Sequence, residues 1–416
     1  MQKYLSSIGI IILLAIPLFF LAPFFRDLLI PDEPRYTEIA MGMAKTGNWF
    51  VPHYQGELYS EKPPLFFWLL AASAKLLGGW YPFAMILPAI LAAIGGLLVT
   101  YRFALFLFQQ RIVAILSALV LMTSGLFVGI GQTVRMDTIL LLCISLSLWC
   151  FYRLFESTTT AHNWPYALVF FLAAGIGTLT KGPVAIGLPG LIIMIFLGWN
   201  RFYRHQSGQV IPVLKKMHLF WGTLLYLTIV LLWLIPAISQ QGWEYAYLIL
   251  IKQNFGRVYS DWAPHPRPWY FYLYTFPWIS LPWFPFFVSA AVTKRSVPVS
   301  PKESQSLTFL WIWWSTTFIF FSLVKGKLEI YLLPLFPPTA MIVGKLWGLI
   351  FRSEDQENRG LRPITYPTYI LAGALGIAAV GLMVHSQTRQ YIGGALLLVL
   401  FSFLLIAFAV KRFTSS

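Results

Sequence analysis

Charge is what this sequence has least of. Only 11% of its 416 residues are Asp, Glu, Lys or Arg, against about 25% in an ordinary globular domain. A soluble chain of this length is excluded. Cysteine is also scarce, with two residues, Cys143 and Cys150. Seven positions apart on one apolar helix, they lie about 10 Å apart along its axis, too far for a disulfide. They are core residues and carry no redox message. No CxxC or HxxxH spacing marks a local metal site, and no P-loop, Rossmann or G-x-S-x-G signature is present. Internal repeats and low-complexity tracts are missing too. Acid is scarcer than base, 15 residues against 30, for a net charge of +15. Such an excess on an apolar chain fits basic loops set against anionic lipid, not a nucleic-acid partner.

What is present is hydrophobic length. Apolar residues make up 58% of the chain, and the mean hydropathy is +0.70. Runs long enough to cross a bilayer stand at 6–25, 82–108, 112–131, 138–155, 164–180, 183–199, 219–239, 269–292, 306–324, 328–350, 366–385 and 391–411. The reading is an all-α, polytopic membrane protein of about twelve spans. The first run lacks a small-residue cleavage site and reads as a retained span. Residues 62–79, "KPPLFFWLLAASAKLLGG", are apolar but short. If they lie along the surface and the N-terminus is inside, the basic clusters around Arg111, Arg153, Arg201, Lys215, Lys294, Arg352 and Lys411 all face inward. If they cross, every cluster faces outward. The positive-inside rule therefore favours a surface helix.

The remaining charge then gathers on the outer side, in loops at 26–81 and 240–268 and in three short turns. In "LLIPDEPRYTEIA", residues 28–40, the prolines predict a break and a helix start. Asp32 and Glu33 fall at its N-terminus, with Arg35 and Tyr36 within one turn. Glu33 and Glu38 suit capping as well as function, whereas Asp32, where a span meets the surface, favours function. In "ELYSEKPPLFFW" Tyr59, Glu61 and Lys62 precede a double proline that starts a helix. Lys62 reads either as a snorkelling lysine or as a cation over a lipid phosphate, with Glu61 orienting it or binding metal. "VRMD" sets Arg135 near Asp137, an ion pair or a cavity-facing acid. Lys181 sits between two spans that form a hairpin, and Lys325 and Lys327 lie at similar depth. Lysines outside oppose the positive-inside trend, and binding an anion explains them. In 252–272, Arg257 and His265 accompany an aromatic run. His265 suits a loop as well as a metal, although it is the best-placed histidine for one.

Taken in order, "DEPRYTEIA", "GNWFVPHYQGELYSEKPPLFFW", "VRMD" and "KGKLEIYLLP" resemble the lipid-linked-sugar glycosyltransferases of the GT-C fold. The likeness is greatest to the bacterial aminoarabinose lipid A transferases and the related protein mannosyltransferase-like enzymes, and covers about residues 1–340. The resemblance implies a GT-C-like bundle with periplasmic juxtamembrane helices in the bacterial inner membrane. It implies an inverting transferase taking a sugar from a polyprenyl (undecaprenyl) phosphate and passing it to an envelope acceptor such as lipid A. On matching positions it implies Asp32 and Asp137 as the acidic residues of catalysis. It places Lys62 and Arg257 on the donor phosphate, with Arg35, Tyr36, Tyr59, Lys181, Lys325 and Lys327 lining the same cavity. It implies no nucleotide cofactor and leaves a divalent ion open, with Glu61 and His265 as its candidate ligands. Full-length aminoarabinose transferases continue into a soluble domain. This chain, read as one membrane domain over 1–416, ends soon after its last span, so the acceptor is open to differ. The competing class is a transporter of lipid-linked sugars, but transporters place ionisable residues at the midplane, and here they cluster near span ends.

Overall fold

The computed structural model describes residues 2–29, 31–158, 163–203, 210–253, 265–293, 300–348, 366–369 and 373. The described chain is almost wholly helical. In order it runs α1 (Gln2–Phe20), α2 (Asp32–Thr46), the two-residue strands β1 (His53–Tyr54) and β2 (Glu57–Leu58), α3 (Leu65–Leu77), α4 (Pro82–Phe108), α5 (Arg111–Met122), α6 (Gly125–Gly131) and α7 (Asp137–Glu156). It continues with α8 (Trp164–Lys181), α9 (Val184–Phe202), α10 (Val210–Lys216), α11 (Leu219–Ala246), α12 (Phe271–Ile279), α13 (Phe284–Thr293), α14 (Pro301–Leu323) and α15 (Phe336–Trp347). A π-helical turn, Tyr247–Lys252, extends α11, and a 3₁₀ turn, Glu329–Leu335, leads into α15.

Six helical stretches among the described residues are long and apolar enough to span a bilayer, and eight if each bent pair counts as one span. Two runs expected to cross as single helices are broken. The run 112–131 bends by 67° between α5 and α6, and the run 269–292 by 112° between α12 and α13. A Thr123–Ser124–Gly125 break and a pair of prolines, Pro277 and Pro282, interrupt the two apolar runs. Hydropathy registers none of this, because it counts apolar content and not backbone continuity. Expected spans at 366–385 and 391–411 lie outside the described residues, apart from 366–369 and 373.

The surface helix at 62–79 is α3. Its thirteen residues reach about 20 Å, short of the ~30 Å hydrocarbon core. Pro64 stands at its N-cap, and Phe66, Phe67 and Leu70 are fully buried where it packs on α2 and α4. Helices α4 and α7 form the centre of the bundle, with α8 and α9 against α7 and α5 against α4. Helix α15 approaches α5 so closely that a Cβ on Gly344 would stand 2.7 Å from the Ser117 amide nitrogen. Small residues allow this kind of contact in membranes.

The two ends of the bundle differ. At one, Tyr152, Phe196 and Phe309 interlock at ring separations of 4.8–5.9 Å, and a buried Glu303–Lys345 ion pair joins α14 to α15. At the other lie the starts of α2 and α7, the α8–α9 hairpin and the link from α14 to the 3₁₀ turn. Most of the charge singled out in the sequence is there.

Candidate active site

Helix α2 begins at Asp32, with Pro31 as its N-cap. Pro34 falls within the first turn, where no backbone N–H is needed. This puts Asp32 and Glu33 side by side at a helix N-terminus, yet the two carboxylates do different things. Asp32 accepts a hydrogen bond from Arg35 Nη2 at 2.6 Å through one oxygen and pairs with Arg135 through the other. All three side chains are about a quarter exposed. Glu33 is buried and held by Arg26 and two backbone amides.

Asp137 is the first residue of α7 and is 4% exposed. Its partner is Lys181, the last residue of α8, not the neighbouring Arg135. The Arg135–Asp137 pairing considered from sequence is thus replaced by two long-range pairs, Asp32–Arg135 and Asp137–Lys181. Arg135 lies in the turn before α7 whereas Asp137 begins the helix, and each finds its partner on another element. Lys181 also lies 5.0 Å from the centre of the Tyr331 ring. Gly182, at φ +96°, turns the chain from α8 into α9 with a backbone that side-chain-bearing residues rarely adopt.

A cavity of about 580 Å³ opens beside this pair. Glu61, Lys62, Asp137, Thr178, Lys181, Gln253 and Tyr331 supply its polar positions. Leu188, Leu191, Met194, Val230 and Phe320 give it long apolar walls. Apolar walls with a few convergent polar groups are the usual form of a ligand site. Tyr59 donates toward Glu61 at 3.5 Å, and the Arg35 guanidinium lies 6.0 Å from the Tyr59 ring and 5.4 Å from that of Tyr36. Tyr36, 5% exposed, packs edge-on against Phe66 at 5.8 Å. Burial, seconded by Asp32, pushes its phenol up to about 12, so at neutral pH it is a hydrogen-bond donor. Asp32, Arg135, Asp137 and Arg35 all lie near enough to act electrostatically on Tyr36.

The last motif is organised differently. Residues 265–267 and 325–327 form a short antiparallel bridge: Lys327 N donates to His265 O at 3.0 Å and Arg267 N to Lys325 O at 3.1 Å. Lys327 is 3% exposed, and its ammonium donates to the carbonyls of Arg267, at 3.1 Å, and Val324. It ties the bridge together. Gly326, between the two lysines, lines the cavity. His265 is exposed, at φ +58°. Among the described residues no three His, Cys, Asp or Glu side chains gather to hold a metal ion, and Glu61 and His265 do not make such a set. Arg257 lies outside the described residues.

One residue went unmarked in the sequence, and the partner of another was missed. Tyr331 was not singled out, although its place after "KGKLEI" was a usable signal. Arg135 was seen, but its partner was not, since 103 positions separate it from Asp32.

Charge gathered at helix ends over an apolar cavity makes this the candidate site of a membrane protein with the GT-C fold. The fold matches the crystal structure of ArnT from Cupriavidus metallidurans bound to undecaprenyl phosphate, with a TM-score of 0.79 at 22% identity, over 98% of this chain and 72% of that one. It also matches the archaeal oligosaccharyltransferase AglB from Archaeoglobus fulgidus, with a TM-score of 0.53 at 14% identity, over 95% and 60%. Residues 61–236 match the family model for dolichyl-phosphate-mannose-protein mannosyltransferase. In sequence the chain is 32% identical over 337 residues to an undecaprenyl phosphate-alpha-4-amino-4-deoxy-L-arabinose arabinosyl transferase of Erwinia tasmaniensis, covering 78% of this chain and 57% of that protein. It is 30% identical to the namesake of Pectobacterium atrosepticum, covering 91% and 65%. The chain has a GT-C-like fold and is similar in sequence to the aminoarabinose transferases, and it spans somewhat over half the length of the first of those curated relatives.

Proposed function

We propose that this protein transfers a sugar from a polyprenyl phosphate to an envelope acceptor of the lipid A type. The observation that carries the reading is the cavity, whose largely apolar lining also holds Lys62, Lys181, Glu61 and Asp137. A phosphate carrying a long isoprenoid chain has this division of properties. The relatives named for undecaprenyl phosphate-aminoarabinose support the same donor class.

In the reaction, an acceptor oxygen attacks the anomeric carbon and forms a C–O bond. The bond from that carbon to the phosphate oxygen breaks, and its electron pair leaves with the polyprenyl phosphate. Attack opposite the leaving group inverts the anomeric centre. The leaving phosphate gains charge, which Lys62 stabilises by a charge-assisted hydrogen bond at the cavity edge. Arg257 is proposed for the same phosphate. The part of Asp32 depends on the acceptor. A hydroxyl must lose its proton, and Asp32 accepts it as general base. A phosphate acceptor is already anionic, and Asp32 then orients it through Arg35 and Arg135. The Tyr36 phenol donates to the sugar between them. The site faces the periplasm from the bacterial inner membrane.

The deciding experiment incubates purified protein with an undecaprenyl-phosphate-linked sugar and lipid A, and follows lipid A by mass spectrometry. A pentose- or hexose-sized mass gain made by wild type and not by Asp32→Asn supports the proposal. No gain on lipid A with donor still consumed moves the acceptor to another envelope component. No consumption of donor at all defeats the transferase reading.

A further inference from the structure

Glu33 is the most heavily engaged carboxylate near the site, and the chemistry above does not use it. Its side chain is 3% exposed. Oε1 accepts from Arg26 Nη2 at 2.9 Å and from the Val134 amide at 2.8 Å. Oε2 accepts from Arg26 Nη1 at 2.8 Å and from the Leu29 amide at 2.6 Å. Arg26 in turn donates to the Gln132 carbonyl at 2.6 Å. Four N–H groups on two oxygens leave Glu33 no accessible lone pair for a substrate. Helix capping does not account for it either, because Arg26 and Val134 belong to other segments.

The positions it joins matter. Glu33 follows Asp32 at the start of α2, and Val134 precedes Arg135 in the turn that leads to Asp137 at the start of α7. The carboxylate fastens the backbone beside both halves of the Asp32–Arg135 pair. We propose that Glu33 is a positioning residue, a clip that holds the turn before α7 against the start of α2 and so sets Asp32 against Arg135. The catalytic part of this proposal rests on the transferase reading, whereas the geometric part does not. A carboxylate suits the role because every contact is a donor. In glutamine an NH₂ group would face either Arg26 or a backbone N–H, and donor would meet donor.

The test uses the full chain in lipid nanodiscs, as wild type, Glu33→Gln and, as the milder variant, Arg26→Gln. Arg135 is probed with phenylglyoxal and read by peptide mass spectrometry. Amide exchange is followed at Leu29 and Val134. The expected result for Glu33→Gln is lost protection at both amides, with faster modification of Arg135 as Asp32 moves off it. Arg26→Gln should give a smaller change of the same kind. With donor and lipid A, kcat should fall about 100-fold, as a misplacement on the order of 1 Å implies, while KM for the donor stays within about threefold, because Lys62 is untouched. Arg135 reactivity unchanged in both variants overturns the proposal. So does a parallel loss of donor binding and of exchange protection throughout α4 and α7, which would make Glu33 a stabiliser of the whole bundle. If wild type transfers nothing, the transferase reading fails, and the Arg135 measurement still decides the clip.

Discussion

Asp32 and Arg135 stand 103 positions apart and meet as an ion pair. Arg35 shares the same carboxylate at 2.6 Å. One anion between two guanidiniums leaves an excess of positive charge at a partly exposed point, a suitable surface for anionic groups.

Asp32→Asn keeps the size of the side chain and removes its charge. Transfer should fall by at least about 100-fold, the lower end of what a general base contributes. Because the residue is partly exposed, the variant should still insert and elute as wild type on size exclusion. Wild-type turnover in this variant would remove Asp32 from the chemistry.

The Asp137–Lys181 pair is buried, at 4% and 12% exposure. Removing one partner of such a pair leaves an uncompensated charge, at about 3–5 kcal/mol. Asp137→Asn and Lys181→Met should each lower the unfolding midpoint. The double variant should recover part of that stability without recovering transfer. Recovery of transfer in the double variant would show that the pair only supports the fold.

Lys62 and Lys327 should separate cleanly. Lys62 lines the cavity, so Lys62→Met should weaken binding of polyprenyl phosphate by about tenfold or more, the worth of a charge-assisted hydrogen bond, with little change in melting temperature. Lys327→Met removes the donor to the Arg267 and Val324 carbonyls and should cost about 1–3 kcal/mol of stability, with donor binding less affected. Titrating binding of polyprenyl phosphate to each variant distinguishes them.

Burial also lowers the Lys327 ammonium below its usual 10.5. The unfolded chain then holds this proton more tightly than the folded one. Its contribution is fully present above 10.5 and is lost as pH falls through the folded value. Stability should therefore rise with pH over the interval just below 10.5, and Lys327→Met should flatten that rise. Thermal scans of both proteins across the alkaline range test the sign.

Gly344→Ala places a methyl group against Ser117 Oγ and 2.7 Å from its amide nitrogen. The hydroxyl can turn aside, but the backbone cannot. Helices α5 and α15 must separate, at about 1–3 kcal/mol for overpacking. Gly187→Ala, where a Cβ meets nothing within 4 Å, is the control and should melt as wild type.

The sequence was informative wherever one residue type has one cheap place to be. Paired prolines announced the starts of α2 and α3. The apolar stretch 62–79, read as too short to cross, forms a helix of thirteen residues. The order of the charged motifs pointed to the fold class that the structural matches share. Breaks inside apolar runs were not legible, since the turn after Met122 and the bend after Ile279 leave the hydropathy of their runs intact.

Sequence alone singled out the residues whose charge calls for a reason. An acid or a lysine kept beside a span in so apolar a chain is costly and needs a reason, so Asp32, Lys62, Asp137 and Lys181 stood out one by one. Only the tertiary structure decided what each one meets. Ion pairs depend on distance in space, and the helix starts that carry these charges are brought together by the packing of α3 on α2 and of α4 on α7. That packing turned Arg135 from Asp137 to Asp32, gave Asp137 to Lys181, and took Lys327 from the cavity into a cage of carbonyls.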